Sequence, residues 1–218
     1  MEKNIGIKKA FGNSMWQIGE KIITMLFSVV VTSIIARYLG VEQYGLVNYI
    51  ISIVMLFTSF STFGMERITI KDILEKEDRE ENILGTSLCI RFIGGIVLLI
   101  ISQITIYVLN PNNILAQILG LIVGISMLFK SFEVIEYYLQ SQMKQKTIAV
   151  IRFCATTVVA ISRILVVIYN LGVIGFTATY LIESIVVAIL LQNWYKKHIK
   201  IKRKISKDYA KKLLKRCW

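Results

Sequence analysis

Cysteine and histidine are too few and too scattered to build a chemical centre. The 218 residues hold three cysteines, Cys89, Cys154 and Cys217, and a single histidine, His198. No CxxC or other metal-ligand spacing joins them, so no metal site is legible. Cys89 and Cys154 lie inside apolar stretches, where thiols serve as small packing residues. No nucleophile–base pair stands out either. No catalytic residue and no cofactor are therefore expected, and the chain is not taken for an enzyme. A metal-dependent glycosyl or phosphoryl transferase set in a membrane would need paired aspartates in a loop. The only acidic loop, 71–81, places Asp72 and Asp78 among Lys and Arg and forms a solvated charge run. Proline is reduced to Pro111, and charged residues make up only 18%.

Apolar residues, at 55%, are what the chain has in quantity, and its mean hydropathy is +0.62. They gather in runs of about 20, the length that crosses a bilayer as helix. The pattern predicts an all-α polytopic membrane protein with six spans, at about 15–36, 46–65, 83–109, 114–134, 148–169 and 173–194. Residues 1–14 form a basic, weakly amphipathic lead-in, and 195–218 a basic tail. The first run is too long for a cleavable signal peptide and lacks a small-residue cleavage site. RYLGVEQYG at 37–45 and NPNN at 110–113 are expected turns, and 66–82 a charged loop.

The net charge of +12 does not point to nucleic acid. Eleven of the 26 basic residues fall in 196–216, directly after an apolar run, where anionic membrane lipid is the fitting partner. No basic surface interleaved with aromatics accompanies them. Lys and Arg recur in the lead-in, the 66–82 loop, the 141–152 segment and the tail, whereas the three intervening connections hold only Arg37. By the positive-inside rule both termini are cytoplasmic.

Successive helical residues are about 100° apart, which sorts the polar residues onto faces. Gln17, Glu20, Lys21, Thr24 and Ser28 share one face of the first span, and Asn48 and Ser52 line the second with Ser59 and Thr62. Ser87 and Arg91 align in the third, Arg152, Thr156 and Arg163 in the fifth, and Thr179, Tyr180 and Glu183 in the sixth. Ser/Thr stripes alone mark helix contacts as readily as a cavity, and Gly120-xxx-Gly124 is a packing motif. The charges favour a cavity. Lys21, Arg91, Arg163, Glu20 and Glu183 each cost about 3 kcal/mol or more at mid-bilayer unless paired or hydrated. Lys21 lies near enough to the cytoplasmic end to snorkel, Lys130 and Glu133 are spaced to pair, and Arg163 with Glu183 is the alternative structural ion pair. An interior with more cations than acids suits an anionic substrate, with Lys21, Arg91 and Arg163 as its contacts. Glu20 and Glu183 then serve as counter-ions or as protonation switches, and Gln17, Thr24, Ser28, Asn48, Ser52 and Thr156 as polar lining.

The stretch NSMWQIGEKIITMLFSVVVTSIIARYLGVEQYGLVNY resembles the opening of bacterial polysaccharide flippases. These form the Wzx-type, lipid-linked oligosaccharide branch of the multidrug/oligosaccharidyl-lipid/polysaccharide exporter superfamily. ARYLGVEQYGL at 36–46 carries the likeness, and FGMERITIKDI at 63–73 extends it. The resemblance implies an inner-membrane transporter of two pseudo-symmetric lobes. It would move undecaprenyl-pyrophosphate-linked sugar units, such as O-antigen or capsule precursors, to the outer leaflet by alternating access. It also implies a cationic cavity and coupling to a proton or sodium gradient. Glycosyltransferases and a polysaccharide polymerase would be its working partners. Of the family's site only Lys21 is carried over, and Arg37, Gly40 and Gly45 belong to a structural turn. Six spans correspond to one lobe, so a second lobe, in cis or in trans, is expected after the tail. The alternatives are a drug or metabolite exporter of the same superfamily, which favours an acidic cavity, and a membrane assembly subunit that transports nothing.

Overall fold

The computed structural model describes residues 2–62, 64–75, 79–199 and 204–217, the side chains of 2–17, 20, 27, 28, 60–62 and 217 excepted. Every regular element among the described residues is helical. In chain order these are α1 (Glu2–Thr62), α2 (Met65–Leu74), α3 (Glu80–Leu109), α4 (Ile114–Lys130), a 3₁₀ turn at Ser131–Glu133, α5 (Val134–Ser141), α6 (Gln145–Ile168), α7 (Gly172–His198) and α8 (Lys207–Cys217).

Among the described residues, five helices are long and apolar enough to cross a membrane: Lys21–Ser59, Glu80–Leu109, Ile114–Ser141, Gln145–Ile168 and Gly172–His198. The sequence predicts six. The difference lies in α1, which runs the first two expected spans together. The expected 37–45 turn shrinks to Gly40, whose φ of 76° and ψ of 169° make it the one non-helical residue inside α1. RYL before it and VEQY after it contain no Pro, Asn or Asp to stop a helix, so helix resumes at once on either side. Gly45, expected to frame the turn, is simply a helical residue. A side chain at Gly40 would force a backbone region that is essentially glycine-only, at a cost of about 1–3 kcal/mol. Gly40→Ala is therefore expected to lower the unfolding midpoint in detergent, and Gly45→Ala to leave it unchanged or raise it slightly.

The expected 66–82 loop is also partly helix. α2 starts from Gly64 (φ 71°) and buries Met65, Thr69, Asp72 and Ile73. The 110–113 turn forms as expected, with the Asn113 side chain accepting a hydrogen bond from the Ala116 N–H at 3.0 Å to cap α4. At the same end of the bundle the Gly172 N–H donates to the Tyr38 hydroxyl at 3.0 Å, and Asn110 Nδ2 donates to the Tyr49 hydroxyl at 3.4 Å. The kink near Gly40 and the turns at 110–113 and 170–172 thus meet. α2, α5 and α8 gather at the opposite end, which also carries the exposed Arg67, Lys71, Lys196 and Lys197.

Two apolar cores stack along the bundle. The first centres on Ile35, Val47, Ile50, Ile106, Leu119 and Phe176. The second centres on Ile83, Leu84, Ile135, Leu139, Leu191 and Leu213. α3 and α4 approach closely at Gly120, where an added methyl would lie 2.5 Å from Ile106 Cδ1. The outer faces are apolar as well: Ile93, Ile96, Val97, Ile100 and Ile104 of α3 and Ile161, Ile164, Leu165 and Ile168 of α6 are exposed. Side chains of that kind, on helices of this length, face hydrocarbon.

Candidate functional site

Where the two cores meet, the bundle opens into a cavity of about 210 Å³. Ile51, Val54 and Val123 of the first core and Val187 of the second supply its apolar wall. Lys130 at the end of α4, Glu133 of the 3₁₀ turn, Arg152 of α6 and Tyr180, Glu183 and Ser184 of α7 supply the polar one.

An ion network runs from this wall into the bundle, through Glu133 and Arg152, which border the cavity, to the buried Arg91 and Glu136. Glu133 accepts from Arg91 Nη2 at 3.2 Å through one oxygen and from Arg152 Nη2 at 3.3 Å through the other. The same Arg152 nitrogen donates to Glu136 Oε2 at 2.8 Å. Arg91 is 4% exposed, donates to the Tyr137 hydroxyl and lies 5.4 Å from that ring's centroid. Two arginines and two carboxylates neutralise one another. Glu133 and Glu136 are three residues apart and so share the helical face that meets α6.

The network changes the expected pairings. Glu133 engages arginines with both oxygens, and no ion pair between it and Lys130 is found among the described residues. Lys130 thus faces the cavity as an ammonium with no described carboxylate partner. An ammonium in a largely apolar cavity needs water or an anion beside it. Arg91, expected as a cavity contact, lies behind the wall and borders neither cavity.

Arg163 lies in a second, adjoining space of about 140 Å³, lined also by Thr24, Val31, Thr156, Val159, Ala160 and Glu183. Its Nε donates to Thr179 Oγ1 at 3.3 Å, and its guanidinium carbon lies 5.5 Å from the Phe176 centroid and 5.1 Å from that of Tyr180. Such stacking holds the planar group in place by cation–π attraction. The alternative Arg163–Glu183 ion pair is not formed among the described residues. Glu183 instead borders both cavities, so one carboxylate stands between the Lys130 side and the Arg163 side.

Of the residues singled out in the sequence, Arg163, Glu183, Thr24 and Thr156 come together. Lys21 is exposed and borders neither cavity, as do Arg37, beside the kink, and Ser52. Asn48 Nδ2 donates to the Tyr44 carbonyl at 2.9 Å, Ser52 Oγ to the Asn48 carbonyl at 2.8 Å and Thr156 Oγ1 to the Arg152 carbonyl at 2.9 Å. These groups are satisfied within their own helices. Gln17, Glu20 and Ser28 lie outside the described side chains.

The sequence gives little sign of the network itself. Glu133, Glu136 and Arg152 fall near span ends, where snorkelling explains a charge equally well. A usable signal was available in the Glu133/Glu136 spacing, which sets two carboxylates on one helical face. Among the described residues no group of three or more His, Cys, Asp or Glu is placed to hold a metal.

What the site can do is bind and orient. Cations, hydroxyls and one shared carboxylate stand among apolar side chains in the walls of two neighbouring cavities. No curated protein and no solved structure matches the chain. The family model described as polysaccharide biosynthesis protein matches residues 11–218, nearly the whole length, and the chain belongs to that family.

Proposed function

We propose that this membrane protein translocates an anionic, lipid-linked oligosaccharide across the bacterial cytoplasmic membrane, with undecaprenyl pyrophosphate as the carrier. The observation that carries the reading is the pair of cations, Lys130 and Arg163, set in two cavities inside the apolar bundle that share Glu183 in their walls. A pyrophosphate accepts charge-assisted hydrogen bonds from both an ammonium and a guanidinium, and the guanidinium fork can engage two oxygens at once. Family membership supports the saccharide class of the cargo.

The kink at Gly40 divides the span 21–59 into two rods of about 19 residues each, which supports six crossings with both ends of the bundle's chain cytoplasmic. In this proposal the bundle is one lobe of a two-lobe transporter, the second supplied in cis or in trans. Glu183, which borders both cavities, serves as the group that links cargo binding to a proton or sodium gradient.

Proteoliposomes test the proposal. A fluorescent undecaprenyl-pyrophosphate oligosaccharide in the inner leaflet should become accessible to an external quencher faster with protein than without. Equal rates with and without protein would overturn the reading. Export of a lipophilic cation in place of the oligosaccharide would favour the drug-exporter alternative.

A further inference from the structure

We infer that α8 is a docking surface for anionic phospholipid headgroups, held at the basic end of the bundle by a buried carboxylate. The clamp is explicit. Asp72 of α2 is 0% exposed and accepts from the Tyr209 hydroxyl at 2.8 Å and from Arg216 Nη1 at 2.9 Å. Tyr209 and Leu213 are buried one turn apart on the same face of α8. Ahead of the helix, the Lys204 N–H donates to the Glu81 carbonyl at 3.0 Å and the Ser206 N–H to Thr86 Oγ1 at 2.9 Å, which ties the approach to α8 along the first turns of α3. Burial and the Asp72 carboxylate push the Tyr209 phenol well above its ordinary range, so it stays protonated in the folded protein. The docked helix therefore loses stability as pH rises above a phenol's ordinary value of about 10, where the undocked phenol ionises and the buried one does not.

The clamp fixes which face looks outward. At about 100° per residue, Lys207, Lys211 and Lys215 fall opposite Tyr209 and Leu213, with Leu214 towards the flank, and all four are exposed. Ile205 is 67% exposed and Leu214 47%. Cations interleaved with protruding aliphatic side chains match the boundary between headgroups and acyl chains, where charge meets lipid phosphate and apolar tips enter the first layer of hydrocarbon. The depth agrees. α7 approaches this end with Trp194, which stacks on His198 (centroids 4.8 Å apart) and carries Lys144 Nζ 5.2 Å from its ring centroid. Tryptophan flanked by cations marks the headgroup level of a bilayer. Nucleic acid would be served by the lysines but not by exposed Ile205 and Leu214.

The test uses the whole chain in nanodiscs of phosphatidylcholine, with phosphatidylglycerol added in steps, and reads the unfolding midpoint. The wild type is expected to gain stability with phosphatidylglycerol and to lose that gain at high salt. The triple variant Lys207→Gln/Lys211→Gln/Lys215→Gln should match the wild type in phosphatidylcholine alone, because these side chains are exposed and take no part in the clamp, yet lose most of the phosphatidylglycerol gain. A control, Lys196→Gln/Lys197→Gln at the end of α7, should keep more of the gain than the triple variant. The inference is overturned if the triple variant keeps the full gain, or if an oligonucleotide stabilises the wild type while phosphatidylglycerol does not. Because translocation is not measured, the inference stands or falls separately from the proposed function.

Discussion

Glu133→Ala is expected to destabilise the bundle by about 3–5 kcal/mol, the cost of leaving a buried charge without its partner. Arg91, almost wholly buried, would keep only the Tyr137 hydroxyl as a described polar partner. Arg152 would retain Glu136 at 2.8 Å and lose less. Adding Arg91→Met should therefore recover much of the loss. The double variant removes one cation and one anion together and leaves the Arg152–Glu136 pair intact. Equilibrium unfolding in detergent of the wild type, both single variants and the double variant gives the coupling energy directly. If the two single losses simply add, the network is not the coupled unit described here.

The second large effect falls on transport rather than stability. Lys130→Ala and Arg163→Ala are each expected to slow translocation about tenfold or more, since a hydrogen bond to a charged group contributes about 1.5–3 kcal/mol. Neither cation pairs with a carboxylate among the described residues, so the Lys130→Ala midpoint should stay near the wild-type value, whereas Arg163→Ala also loses the Thr179 bond and the contacts with Phe176 and Tyr180 and should fall modestly. Lys130→Arg should preserve more activity than Lys130→Gln, because the charge rather than the length of the side chain is what the anion meets. Arg163→Lys should fare worse than a charge count implies, since the stacking on Phe176 and Tyr180 and the bond to Thr179 suit a planar guanidinium.

How much of this was legible follows from what each signal depends on. Runs such as 83–109 and 173–194 announce themselves because hydrocarbon imposes both length and composition. Polar periodicity picked out Arg163, Glu183, Thr24 and Thr156, which do share a cavity, because helical spacing is local. Pairing between helices is not local. Lys130 and Glu133 have the spacing of a pair, yet Glu133 turns to Arg91 on α3 and Arg152 on α6, and only the packing of three helices decides that. The 37–45 segment carried two glycines, and sequence alone did not indicate that Gly40 would break the helix while Gly45 stayed within it. Asp72 looked like part of a solvated charge run. It is fully buried because α8, more than 130 residues later in the chain, brings Tyr209 and Arg216 to it.

In the proposed mechanism the two cavities that share Glu183 receive an anionic lipid headgroup through Lys130 and Arg163. Equilibrium titration of the purified protein with a short-chain polyprenyl pyrophosphate measures it most directly, with inorganic pyrophosphate as competitor. Saturable binding is expected, weakening on the order of a hundredfold in the Lys130→Ala/Arg163→Ala variant, two charge-assisted contacts being lost together. Unchanged affinity in that variant, with its fold intact, would contradict it.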